Sequence, residues 1–152
     1  MLIYLMKSFR KLITSSGKEI LAGRDENSNE ELIKQIKNDE IVLHSAAPGS
    51  PFVNIKAEND KITKEDLKEA AIFCAVKSHD WRDHKKDVKV HWFKGRDIFK
   101  EKGMKIGTFG VKKFKLIKVK KKDIENFVKK FSNSRLKNQT SKIEKFLENK
   151  KW

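Results

Sequence analysis

The chain is poor in cross-linking and punctuating residues. A single cysteine, Cys74, rules out an internal disulfide and any zinc pattern built on paired cysteines, and it fits a reducing compartment. There are only two prolines, Pro48 and Pro51, and with Gly49 they fall within four residues, which marks one loop and leaves the rest of the chain open to regular structure. No apolar run approaches the roughly 20 residues of a membrane span. The apolar opening Met1–Met6 is too short for a signal-peptide core and lacks a small-residue cleavage site, so a cytoplasmic protein with no membrane partner is expected. Acidic residues are scarce late in the chain: residues 111–152 hold 4, against 15 basic ones.

That scarcity shapes the charge. The formal net charge is +15, with a pI near 9.8, yet residues 1–110 carry 21 basic and 17 acidic side chains and are nearly balanced. A one-sided lysine excess favours polyphosphate partners and speeds their association. An anionic membrane surface and simple solubility are the competing readings. Hydrophobic and charged residues each make up 38% of the chain. The apolar residues are patterned, which predicts a folded domain with a heavily solvated surface.

Periodicity and turn chemistry predict the elements. Phe9–Thr14 and Glu19–Ala22 read as a hairpin around Ser15-Ser16-Gly17. Ser28-Asn29-Glu30-Glu31 has capping-box spacing ahead of a helix carrying Leu32, Ile33 and Ile36. Ile41–His44 and Phe52–Ile55 read as strands flanking the proline loop. Thr63 opens the strongest helix, whose face Leu67, Ala70, Ala71, Cys74 and Ser78 suits close packing on a sheet, with Trp81 just past its end. Val88, Val90 and Trp92 alternate on one side of a strand. Residues 94–107 read as a loop, Thr108–Val119 as one or two strands, and Ile124, Phe127, Val128 and Phe131 as a helix, with a last short helix near Ser141–Leu147. The expected fold is α+β, a mixed or antiparallel sheet with packed helices. The expected division is a body over residues 7–119 and a basic helical extension over residues 120–152.

Catalytic and metal-binding patterns are weak. His79 and His84 are five apart and do not share a helix face, and Asp80, Asp83 and Asp87 alternate with basic residues as in a mixed-charge surface turn. There is no nucleophile elbow and no phosphate-binding glycine loop of the Walker type. Cys74 reads as packing, and no cofactor or metal is expected. The basic constellation says more. Lys112, Lys113, Lys115, Lys118 and Lys120–Lys122 are interleaved with Phe114, Leu116, Ile117 and Val119, so apolar residues can anchor the segment while lysines project toward phosphate. A solvated strand edge guarded by lysines is the bland reading of the same residues. Arg24 in the Gly23-Arg24-Asp25 turn and the Gly49 loop are further anion candidates.

In order along the chain, Phe9-Arg10, Ser16-Gly17, Gly23-Arg24-Asp25, Asn29-Glu30, Leu43-His44, Gly49, Glu69-Ala70-Ala71, Ser78, Trp81, Trp92, Gly107-Thr108-Phe109 and Lys112-Lys113 resemble the NFACT-R domain. This is the RNA-binding module of ribosome quality-control factors related to fibronectin-binding protein A, and it also occurs as a stand-alone protein. The resemblance covers roughly residues 7–119. It implies an α+β fold and non-catalytic binding of tRNA or rRNA in a translation setting, with the ribosome as a wider partner. Arg24, Asn29, His44 and Gly49 would form a polar recognition surface, and Lys112, Lys113 and Lys115 would hold phosphates. Trp81 and Trp92 are expected in the core. The alternatives are a factor in RNA modification or processing, a DNA-binding protein, an RNA-cleaving enzyme built on His44 and a carboxylate, and a module docking on ribosomal proteins. The other domains of the quality-control factors are not expected here, so tail-adding activity is not carried over. The sequence does not specify an oligomeric state.

Overall fold

In the computed structural model, which describes residues 9–131, local signals build most of the sheet. Its strands are β1 (Arg10–Ile13), β2 (Glu19–Ala22), β3 (Ile41–Ser45), β4 (Val53–Ile55), β5 (Val88–Lys94), β6 (Ile98–Phe99), β7 (Gly110–Val111) and β8 (Lys115–Val119). β1 and β2 form the expected hairpin, with Gly17 at a φ of +89°. Six strands form one sheet in the order β1-β2-β4-β3-β5-β8, all neighbours antiparallel, while β6 and β7 pair separately. The helices are α1 (Glu26–Lys34), α2 (Lys64–Val76), α3 (His79–His84) and α4, residues 121–131. The architecture is α+β with an antiparallel sheet, as the sequence implied.

Alternation gives the sheet two apolar faces. Ile41, Leu43, Val53, Ile55, Val88 and Val90 face α2, whose Ala70, Ala71 and Cys74 are fully buried because small side chains let the helix approach closely. On the opposite face Leu21, Val42, Phe52 and Phe93 pack with Leu32 of α1 and with Phe109 and Val111 around the β6–β7 ribbon. The sheet is therefore the middle of three layers. Trp81 is buried, and Trp92 packs half-buried against the α2-side core.

Three expectations are corrected. The first helix starts at Glu26, capped by Asp25, with Ser28 as the reciprocal partner at its third position. The sequence Asp25-x-x-Ser28 competes with Ser28-x-x-Glu31 for the cap, and the earlier pair wins because Ser28 Oγ also accepts from the Arg24 and Asp25 N–H groups. Ser78 is not on the face of the long helix, which ends at Val76, but caps a second helix, α3, that contains Trp81. Residues 94–107, read as a loop, contain β6, a two-residue strand too short to leave a period. The expected helix near Ser141–Leu147 and the apolar opening lie outside the described residues.

α4 belongs to the core. Ile124 is 0% exposed among the α2-side residues, Phe127 meets Phe73 edge-on at 6.2 Å, and the Lys121 N–H donates to the Asp87 carboxylate at 2.8 Å. The division expected after residue 119 passes through this packing.

Asp66 ties the start of α2 to the β1–β2 turn. Its buried carboxylate accepts from Ser16 Oγ (2.6 Å) and the Thr63 N–H (3.0 Å) and lies 3.5 Å from Lys18 Nζ. Burial alone would raise its pKa, but the hydrogen bonds from Ser16, Thr63 and Thr14 outweigh burial and carry it well below the ordinary 3.8. A group lowered in the folded state stabilises the fold above its unfolded pKa and loses that contribution as pH falls toward its folded value. Asp66→Asn is expected to cost about 3 kcal/mol at pH 7 and to flatten the loss of stability below about pH 4. Urea-unfolding midpoints at pH 7 and pH 3 check both effects.

Candidate nucleic-acid interface

Where β2 and β3 end, a cleft of about 760 Å³ opens at the end of the sheet, with its floor on the face opposite α2. Arg10 and Arg24 stand at one side, the Ala46–Pro51 loop and His79 at another, and His44 and His91 on its floor. The register puts His44 directly opposite His91, so both rings share this face. Residues 106–109 close the remaining side.

The arginines are the electrostatic core of the site. Arg10 Nη1 donates to the Gly23 carbonyl at 3.2 Å, which holds its guanidinium over the hairpin end. Burial lowers the Arg10 pKa, and the nearby positive charge of Arg24 lowers it further. Among the described residues neither arginine has a carboxylate at ion-pair distance. Arg24 also immediately precedes the cap of α1, where the helix end is already positive. The first amides of α1 are occupied by Asp25 and Ser28, so anion attraction here comes from the two guanidiniums.

The other expected residues divide by role. Asn29 lines the cleft, but its Oδ1 accepts the Phe52 N–H (3.2 Å), which fixes the start of β4. His44 Nδ1 donates to the Ser45 carbonyl at 2.8 Å and its ring lies 4.5 Å from that of Phe52. Burial lowers its pKa, which favours the neutral imidazole. A backbone carbonyl and a phenyl ring occupy the place where an acid–base reading needs a carboxylate. Gly49 takes a φ of +87°, and a Cβ there would sit 2.2 Å from the His79 ring, so glycine lets the proline loop lie against α3. Among the described residues no group of three or more His, Cys, Asp or Glu side chains gathers to hold a metal, and no helix is long and apolar enough to cross a membrane.

The lysines do not converge with these residues. Lys112 and Lys113 are exposed at the bend between β7 and β8, next to Val111 of the cleft, and the Lys112 N–H is fixed on the Asp97 carbonyl at 2.8 Å. Lys115 pairs with Trp92, so it faces the α2 side, and its Nζ lies 5.1 Å from the centre of the Trp92 ring.

Sequence reasoning missed the device that holds the 106–109 side in place. Glu30 Oε1 accepts from Lys100 Nζ (2.6 Å) and the Gly107 N–H (2.7 Å), and Lys100 also donates to the Lys105 and Thr108 carbonyls. A Cβ on Gly107 would lie 2.7 Å from Glu26 Cα, so this loop sits directly on α1. Glu30 and Lys100 are 70 residues apart, and no local pattern joins them.

An antiparallel α+β body with two arginines at the wall of a cleft has the kind of positive surface that nucleic-acid-binding domains share. The chain belongs to the family described as NFACT protein RNA binding domain, which matches residues 6–113. It is 33% identical over 98 residues to the archaeal Rqc2 homolog aRqcH of Methanocaldococcus jannaschii, a match covering 61% of this chain and 15% of that protein. It shares its fold with the C-terminal part of the fibronectin/fibrinogen-binding protein from Streptococcus suis, with a TM-score of 0.69 at 22% identity over 78% of this chain and 48% of that one. The chain thus spans a small part of the first relative and about half of the second.

Proposed function

We propose that this domain binds RNA without catalysing a reaction on it. The Arg10–Arg24 pair grips backbone phosphate in the cleft, and Lys112 and Lys113 hold phosphate at the adjoining bend. One observation carries the reading: two guanidiniums near enough to repel each other line the mouth of one cleft, and among the described residues neither has a carboxylate at ion-pair distance. Membership of the RNA-binding family supports RNA as the polymer, and the likeness to the archaeal Rqc2 homolog supports ribosome-associated quality control as the setting, with tRNA or rRNA as the ligand. His44, Asn29 and Gly49 shape the cleft around the phosphate site, and Lys115 adds charge from the far side of the same edge strand.

Binding to tRNA, rRNA fragments and duplex DNA across a salt series tests this. Affinity is expected to fall steeply with salt, with RNA bound more tightly than DNA at every concentration. The double variant Lys112→Glu/Lys113→Glu is expected to weaken binding to all RNAs and to reduce the log–log salt slope by about 2, one for each phosphate no longer neutralised. A slope unchanged in the variant would make these lysines an edge guard and nothing more. Product formed from the RNA during incubation would overturn the non-catalytic reading.

A further inference from the structure

The bend that carries Lys112 and Lys113 leads into Phe114, whose side chain is 53% exposed. One face of its ring stacks on His91, with centroids 4.0 Å apart and planes 28° from parallel. Register explains the direction. Leu116 pairs with His91, so Leu116 and Phe114, two residues earlier, share the cleft face of the sheet. Burial lowers the His91 pKa, which favours the neutral form of the ring backing Phe114.

Edge protection does not account for this arrangement. β8 is an edge strand, and an edge needs charge to discourage pairing with another chain. The lysines meet that need, and an exposed phenyl ring works against it. Leu116, also 52% exposed, extends the same apolar surface. A ring supported on one side, open on the other and flanked by lysines matches the two features that single-stranded nucleic acid offers together, a flat base and a phosphate beside it. A paired base keeps its faces inside the helix stack, and an unpaired one presents them.

We infer that Phe114 is a stacking platform for an unpaired base, and that this face therefore selects single-stranded RNA over duplex. The inference rests on the RNA-binding reading above. Arg10 on β1 and Phe114 beside β8 stand at opposite edges of the six-stranded sheet. At about 4.8 Å per strand the sheet is roughly 24 Å wide between them, so an RNA strand running along the cleft end of the sheet from the arginine pair to Phe114 spans that width with several nucleotides.

The test uses the full chain and fluorescence anisotropy with a short, unstructured uridine-rich RNA, alone and annealed to its complement. The wild type is expected to bind the single strand more tightly. Phe114→Ala is expected to weaken single-strand binding about tenfold and leave duplex binding unchanged. Phe114→Trp should restore affinity, and Phe114→Leu, which keeps apolar bulk without a π-face, should behave like the alanine variant. Equal losses on both forms, no loss on either, or wild-type affinity in Phe114→Leu would each overturn the stacking role. A silent Phe114→Ala would leave this surface to a protein partner. A wild type that binds neither form would instead bring down the RNA-binding reading itself, and the inference with it.

Discussion

A chain ending at residue 119 is expected to lose its cooperative unfolding transition. The residues removed include Ile124, fully buried with Val88, Val119 and the small-residue face of α2. They also include Phe127, which covers Phe73, and the Lys121 amide that satisfies Asp87. Deleting the Ile124 side chain alone should cost about 3 kcal/mol, since a large apolar residue taken from a packed interior leaves a cavity that closes only in part. Phe127 adds a further loss of about 1–2 kcal/mol for its half-buried ring. Native domains are stable by only about 5–15 kcal/mol, so these two losses alone reach the lower end of that margin, and the loss of the Asp87 contact adds to them. Every group removed in the contacts named here belongs to residues 121–131, and a chain ending at 131 should retain the transition. Ile124→Ala should lower the urea midpoint without changing the slope, while Val128→Ala, at a largely exposed position, should stay within about 0.5 kcal/mol of the parent. Cooperative melting of the 1–119 chain, followed by near-ultraviolet circular dichroism, would show that α4 is an addition to the core and not a part of it.

The same helix shows where reading the sequence stops. Ile124, Phe127, Val128 and Phe131 announced an apolar helical face, because spacing is a local property. What that face covers is not local. It depends on β8 returning to the sheet edge so that α4 can reach Phe73 of α2, some fifty residues earlier in the chain. The β1–β2 hairpin and the Thr63 cap of α2 were legible for the same reason that the helical face was: turn chemistry and capping act within four residues. Capping also misled, because two overlapping patterns fit around Ser28 and only the amides of Arg24 and Asp25 choose between them. In the cleft, Arg24, Asn29, His44 and Gly49 were singled out from the chain and all line the same space. Their division of labour was hidden. The Asn29 carbonyl is committed to Phe52 across 23 residues, and Lys115 faces away because pairing with Trp92 turns it so. Arg10 becomes the neighbour of Arg24 through the hairpin register, and β4 enters the sheet between β2 and β3, an order that sequence adjacency does not suggest.

Arg24→Glu is expected to move stability and binding in opposite directions. In the native protein the Arg24 charge lowers the pKa of the half-buried Arg10 and sits beside the positive end of α1, and both interactions are unfavourable for the unbound fold. A carboxylate at this position would attract Arg10 and complement the helix end. Repulsion from Asp25, and loss of the Arg24–Asp25 attraction, oppose these gains, but the Asp25 carboxylate is held low first by its hydrogen bonds with Ser28. The balance should leave the melting temperature unchanged or raised, by an amount corresponding to no more than about 1 kcal/mol at so exposed a site. RNA affinity should fall about 100-fold, because a charge-assisted hydrogen bond to phosphate, worth about 2–3 kcal/mol, is removed and Arg10 acquires an internal partner that competes with phosphate. Misfolding cannot produce this pairing of outcomes, since it lowers both quantities. Thermal melts and anisotropy titrations on one preparation give the two readings. Retained affinity with raised stability would mean that phosphate is held elsewhere, and a lowered melting temperature would mean that Arg24 supports the fold through interactions other than those described.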